Sequence, residues 1–122
     1  MEFETAKKFI DLILDNNEAT AQYIDAEHSD SVIIEFIGGE PFLEIDLVSE
    51  ITDYFIAEMI RRNHHWATRF RISICSNGVL YFDPKVQEYL NRHKNHLSFL
   101  PSISLFMNSK KLLFICFFSF FF

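Results

Sequence analysis

Apolar positions in the first hundred residues follow two different periodicities. At the start of the chain they recur at helical spacing, at Phe3, Ala6, Ile10 and Ile13. This spacing predicts an amphipathic helix. Residues 31–37 instead form a short β-branched run, which is typical of a strand that is covered on both faces.

The same alternation of helix and strand continues along the chain. A second helix is predicted with Asp46 as its N-cap and Arg61 near its end, where the helix dipole favours cations. A second strand follows over residues 70–75. Asp83-Pro84 then opens a third helix, because proline suits the first helical position, and a further strand is expected after it. Strands that alternate with helices in this way predict an α/β fold with a parallel sheet.

The segment Ser76-Asn77-Gly78 leaves one local choice open. Asn-Gly tolerates positive φ at both positions, so this turn could close a hairpin in which residues 79–82 fold back on the second strand. The same segment could equally lead from the strand into the third helix. The local residues do not decide between the two.

Composition changes sharply near residue 95. All 17 acidic residues precede this point, whereas the 28 residues from Asn95 onward contain eight of the 15 phenylalanines and no carboxylate. We therefore divide the chain into a folded α/β unit, residues 1–99, and a Phe-rich hydrophobic tail, residues 100–122.

Three interpretations of the tail can be compared. Its apolar run is about half of the roughly 20 residues that a membrane-spanning helix needs, so membrane association is not expected. A buried strand or core helix fits the apolar composition, although such segments seldom use so many phenylalanines. A shifted reading frame is favoured, because Lys110-Lys111 followed by phenylalanine runs is what adenine-rich and then thymine-rich DNA encodes.

Charge and cysteine content limit the function further. The net charge of -6 argues against sequence-independent binding of nucleic acid. Cys75 and Cys116 lie far apart, and the acidic N-terminus does not resemble a signal peptide, so a reducing cytoplasm without disulfides is predicted. Cys75 falls in the second predicted strand and is expected to be a buried structural thiol.

The motif Gly38-Gly39-Glu40-Pro41 directly follows the first predicted strand. Two glycines allow a sharp turn and the close approach of a ligand to the backbone. Glu40 would project from the carboxyl end of the strand, where parallel α/β sheets bind ligands, and its carboxylate could hold an ammonium group. On its own, a four-residue string of this kind is also explained by a structural turn.

Together with the elements that follow it, this motif closely resembles the Gly-Gly-Glu-Pro motif of the radical S-adenosylmethionine (radical SAM) superfamily. The similarity rests on Gly38-Gly39-Glu40-Pro41 after one strand, a helix, and then Ser76-Asn77-Gly78 after the next strand, and it points to the branch that modifies peptides and matures sulfatases. The resemblance implies a partial (β/α)6 barrel, of which this chain would supply two to three parallel strands with covering helices. It also favours the loop over the hairpin after the second strand.

The resemblance further implies a cofactor site. S-adenosylmethionine would lie at the carboxyl ends of the strands, with Gly38, Gly39, Glu40 and Pro41 contacting its methionyl amino group. Ser76 and Asn77 would lie beside the cofactor or the substrate, which in the parent family is a peptide or protein. For Asn77, a role in the turn alone fits equally well.

The family also binds a 4Fe-4S cluster through Cys-x-x-x-Cys-x-x-Cys, which this sequence lacks. Neither Cys75 nor Cys116 can replace that motif. We therefore expect a fragment without the first barrel strand and cluster loop, inactive alone, for which a complementary fragment would be the partner. Strands cut from a barrel would leave unpaired edges on both sides of the sheet, so aggregation or association with that partner is expected.

Two other functions remain as alternatives. One is a non-enzymatic α/β interaction protein whose hydrophobic tail docks on a partner. The other, a small hydrolase using Glu40 and a histidine, has little support because no nucleophile or metal constellation is evident. His64-His65 has no thiol or carboxylate at ligand spacing and is expected to be structural.

Overall fold

The computed structural model describes residues 2–101 and 112–117 of the chain. The helices are α1 (Phe3–Leu14), α2 (Glu18–Ala21), α3 (Ile45–Arg61) and α4 (Pro84–Arg92). The strands are β1 (Ser31–Phe36), β2 (Phe70–Ser76), β3 (Leu97–Pro101) and β4 (Leu112–Phe117). Two short 3-10 turns, Pro41–Glu44 and His65–Thr68, precede α3 and β2.

The four strands form one parallel sheet in the order β3-β2-β1-β4. β1 and β2 pair from Val32 opposite Phe70 to Phe36 opposite Ile74, and α3 connects them. The predicted α/β fold, with parallel strands and covering helices, is confirmed. The hairpin alternative is wrong, since β2 has parallel neighbours on both sides and the chain after Ser76 turns into α4.

The outer edge of β1 is paired with β4. Their register runs from Ser31 opposite Leu112 to Phe36 opposite Phe117. β1 is therefore an inner strand, and in the described part of the chain the sheet ends at β3 on one side and at β4 on the other, which agrees with the expectation of an edge on each side. Residues 102–111 and 118–122 lie outside the described residues, so the interpretation of the tail as a shifted reading frame stays a prediction.

Burial of β1 extends to both of its faces, as the continuous apolar run predicted. Val32, Ile34 and Phe36 belong to the main hydrophobic core, and Ile33, which alternates to the other face, is buried as well. The core is completed by apolar residues of α1, α3, α4 and β2. This packing holds the carboxyl ends of β1 and β2 side by side.

Of the two helix starts predicted from capping residues, one is wrong and one is confirmed. α3 begins at Ile45 with Glu44 as its N-cap, so the prediction of Asp46 as N-cap is wrong. The 3-10 turn runs directly into the helix, which leaves Asp46 in its first turn. At α4 the prediction is confirmed, because the Asp83 carboxylate accepts hydrogen bonds from the backbone N–H groups of Lys85 and Val86.

Arg62, directly after α3, links that helix to α1. Its guanidinium donates to the carboxylates of Asp11, Asp15 and Glu58. The Tyr54 hydroxyl also donates to Asp11, at 2.6 Å. These charge-assisted bonds join the two helices.

The Glu58 carboxylate gives this network a pH dependence. Hydrogen bonds from Arg61, and secondarily from Arg62, lower the pKa of Glu58 from 4.5 to about 2, against the opposing effect of desolvation. Because the folded-state pKa is depressed, the stabilisation is present above pH 4.5 and is lost as the pH falls toward 2.

Replacing Glu58 with glutamine should therefore lower the free energy of unfolding by about 1 kcal/mol at pH 7, a modest value because the pair is partly screened by solvent. The difference from the wild type should shrink at pH 3. Urea unfolding at both pH values measures it, with the exposed Glu50→Gln as control. An equal difference at both pH values would contradict this account of Glu58.

Candidate cofactor-binding site

The glycine motif places Glu40 at the carboxyl edge of the sheet. After β1, the chain passes through Gly38 and Gly39 with φ of 86° and 45°, a left-handed conformation that side chains with a Cβ rarely adopt. The backbone returns to an extended conformation at Glu40, which is the N-cap of the 3-10 turn beginning at Pro41. The two glycines thus allow the turn that brings the Glu40 carboxylate against the end of β2.

Three donors reach the Glu40 carboxylate. Its Oε1 accepts hydrogen bonds from the Ser76 hydroxyl at 2.6 Å and from the Phe42 N–H at 3.2 Å. Its Oε2 accepts from the Asn77 N–H at 2.9 Å. Glu40 is 9% exposed, so these bonds form largely out of water, where a charged acceptor strengthens them. The two motifs noted in the sequence therefore meet at one carboxylate.

Ser76, the last residue of β2, is 2% exposed. Its hydroxyl donates to Glu40 and also accepts from the Gly78 N–H at 3.0 Å. Gly78 has φ of 79°, and a Cβ there would meet no heavy atom within 4 Å. Glycine is favoured at this position by backbone conformation and not by lack of space.

Asn77 and Pro41 contribute through the backbone. The Asn77 side chain is exposed, and its Oδ1 accepts from the Val79 N–H at 2.9 Å, as in a common type of turn. Its contact with Glu40 comes from the main-chain N–H. Pro41 is buried as the first residue of the 3-10 turn and fixes the chain directly after the carboxylate.

The Glu40 carboxylate has room for one further donor. A carboxylate offers about four lone-pair sites, and three donors already occupy Glu40. The remaining site is on Oε2, which takes a single donor. The residues present therefore fit the ammonium group of a ligand such as S-adenosylmethionine.

The residues present do not fit an iron-sulfur cluster. The sequence has two cysteines, and no Cys-x-x-x-Cys-x-x-Cys motif. Among the described residues, no group of three or more His, Cys, Asp and Glu side chains is placed to hold a metal ion. Cys75 lies in β2 and is half-buried, whereas full burial was predicted.

His64 and His65 are engaged in local structure. The His64 Nδ1 accepts from the Trp66 N–H at 3.1 Å, and the His65 Nε2 lies 2.6 Å from the Ser29 carbonyl oxygen. Desolvation, together with the neighbouring His65, lowers the pKa of His64. Both imidazoles thus help to fix the 3-10 turn before β2.

A second group of polar side chains was not evident in the sequence. Asp53, His93 and His96 line one cavity of about 490 Å³, whose other walls are mostly apolar. The His93 Nε2 lies 3.5 Å from Asp53, and burial lowers the pKa of His93. Asp53 is on α3 and the two histidines follow α4, so only the packing of the two helices brings them together.

Within the described ranges, no helix combines the length and the apolar composition needed to cross a membrane. A scan of the sequence against protein-family models finds no match, and a search of curated proteins finds no similar sequence.

Proposed function

We propose that this chain forms part of the S-adenosylmethionine-binding wall of a radical SAM enzyme that modifies a peptide, and that it is inactive alone. One observation carries the proposal. A buried glutamate in a Gly-Gly-Glu-Pro corner is hydrogen-bonded, across the carboxyl edge of a parallel sheet, to a Ser-Asn-Gly loop 36 residues away. This is the edge at which parallel α/β sheets bind their ligands.

The role proposed for the chain is to bind and orient the cofactor. S-adenosylmethionine carries an ammonium group, and the Glu40 Oε2 offers a charged acceptor in a largely water-excluded position. Gly38 and Gly39 present backbone without side chains beside it. When bound to a reduced iron-sulfur cluster, this cofactor supplies hydrogen-abstraction chemistry. Since the cysteines present do not fit a cluster, residues outside these 122 would have to hold it.

The proposal is tested by ammonium-dependent binding to the full chain. S-adenosylmethionine should bind more tightly than 5′-deoxy-5′-methylthioadenosine, which lacks the amino-acid group and the sulfonium charge. S-adenosylhomocysteine, which keeps the ammonium group on a neutral thioether, should share this preference and so exclude an effect of the sulfonium alone. Glu40→Gln should weaken binding of both ammonium-bearing ligands about tenfold, the effect of losing about 1.4 kcal/mol of charge-assisted bonding, and should leave binding of 5′-deoxy-5′-methylthioadenosine unchanged.

Isothermal titration calorimetry or ligand-observed NMR measures these affinities, with circular dichroism to check the fold. Glu50→Gln, an exposed carboxylate on α3, is the matched control and should behave as wild type. Failure of the wild-type chain to prefer S-adenosylmethionine, or an unaltered preference in Glu40→Gln, would refute the proposal.

A further inference from the structure

We infer that Ser76 is a positioning residue for this site, which holds the Glu40 carboxylate so that Oε2 faces the ammonium group of the ligand. The inference rests on the proposed function and changes the role that the family resemblance implied for Ser76. In place of a contact with cofactor or substrate, Ser76 would act through Glu40.

The Ser76 hydroxyl is already engaged in two hydrogen bonds. A serine hydroxyl has a single O–H donor, and that of Ser76 is directed to the Glu40 Oε1 at 2.6 Å. The same oxygen accepts from the Gly78 N–H at 3.0 Å. With 2% of the residue exposed, Ser76 offers almost no surface to a ligand.

The two carboxylate oxygens of Glu40 accept different numbers of hydrogen bonds. Oε1 takes two donors, from Ser76 and Phe42, which matches its two lone pairs. Oε2 takes one, from Asn77, and keeps one lone pair. The last torsion of a glutamate side chain is broad, so it is the surrounding donors that fix the plane of the carboxylate.

Removing the Ser76 hydroxyl would remove this asymmetry. Oε1 would then have an open lone pair as well, and the carboxylate could turn about its last torsion. The ammonium group would meet a less fixed acceptor that carries the same charge. A loss of affinity specific to ligands with an ammonium group follows, because the rest of the ligand does not depend on the orientation of Glu40.

The test compares two ligands on variants of the 122-residue chain. For Ser76→Ala, binding of S-adenosylmethionine should weaken about fivefold to tenfold, as expected when a hydrogen bond to a charged group is lost. Binding of 5′-deoxy-5′-methylthioadenosine should change less than about twofold. For Ser76→Cys, whose thiol is a weaker donor of similar size, an intermediate loss of affinity is expected. This variant replaces Ser76→Ala in the test if the alanine variant does not fold.

A double variant separates positioning from general structure. Because Ser76 would act through Glu40, Ser76→Ala in the Glu40→Gln background should cause no further loss of S-adenosylmethionine binding. Equal losses for both ligands, or additive losses in the double variant, would overturn the inference. If the wild-type chain shows no ammonium-dependent preference, the proposed function itself fails. If it does show that preference and Ser76→Ala keeps it in full, only the role of Ser76 fails.

Discussion

Replacing Trp66 with alanine should lower the free energy of unfolding by about 3–5 kcal/mol, the usual cost of truncating a large buried aromatic side chain. Trp66 is fully buried in the 3-10 turn between α3 and β2. Its indole Nε1–H donates to the Ser29 carbonyl oxygen at 2.8 Å, so it also ties the segment before β1 to the segment before β2. A domain of this size has about 5–15 kcal/mol of total stability, so the alanine variant would lose a large share of it.

Urea unfolding followed by far-ultraviolet circular dichroism measures this effect, since Trp66 is the sole tryptophan and its removal abolishes the fluorescence signal. Trp66→Phe is the matched control. It keeps most of the apolar volume and loses the N–H donor, so a smaller loss of about 1–3 kcal/mol is expected. A loss below about 1 kcal/mol for Trp66→Ala would show that this side chain is not in the core.

Replacing Glu40 with alanine should cost about 3 kcal/mol of stability. The change leaves the Ser76 hydroxyl and the N–H groups of Phe42 and Asn77 without their acceptor. Each donor that stays buried and unpaired costs about 1–3 kcal/mol, and water can reach part of the Asn77 backbone to limit the total. The loss should appear as a lower urea midpoint with an unchanged slope.

Glu40→Gln should cost less than Glu40→Ala, because the amide oxygen can still accept from one or two of these donors. Glu50→Ala provides the comparison with an exposed carboxylate, for which a change within about 0.5 kcal/mol is expected. If Glu40→Ala were as stable as Glu50→Ala, the hydrogen bonds from Ser76, Phe42 and Asn77 to the Glu40 carboxylate would not exist in solution. That result would also remove the geometric basis of the proposed function.

Much of the fold could be predicted because apolar periodicity reflects burial directly. The β-branched run in β1 and the helical spacing in α1 each indicate their own element. The turn at residues 76–78 could not be decided locally, since Asn-Gly suits a hairpin and a loop alike. Pairing of β2 with β1 and β3, which joins residues far apart in sequence, selects the loop.

The candidate site was only partly predictable for the same reason. Gly38, Gly39 and Glu40 are contiguous, so their turn and their carboxylate could be read from the sequence. The partner of Glu40 could not, because Ser76 lies 36 residues away and reaches it through the register of two strands. Asp53 and His93 were missed because they meet through the packing of α3 against α4. From the residues alone, Ser76 before Asn-Gly indicates a turn, and only the family resemblance placed it at the same site as Glu40.

The register between β1 and β4 determines where a strand paired with the outer side of β1 ends relative to the glycine corner at Gly38. Phe117 lies opposite Phe36, so the outer strand ends level with the strand that leads into the glycine corner. Neighbouring strands are about 5 Å apart. Any polypeptide that displaced β4 and paired in the same direction would release its next residues within a few ångströms of Gly38. The outer position beside β1 would therefore lead a separate chain to the glycine corner on the side of β1 that faces away from β2, where Ser76 and Asn77 hold the Glu40 carboxylate.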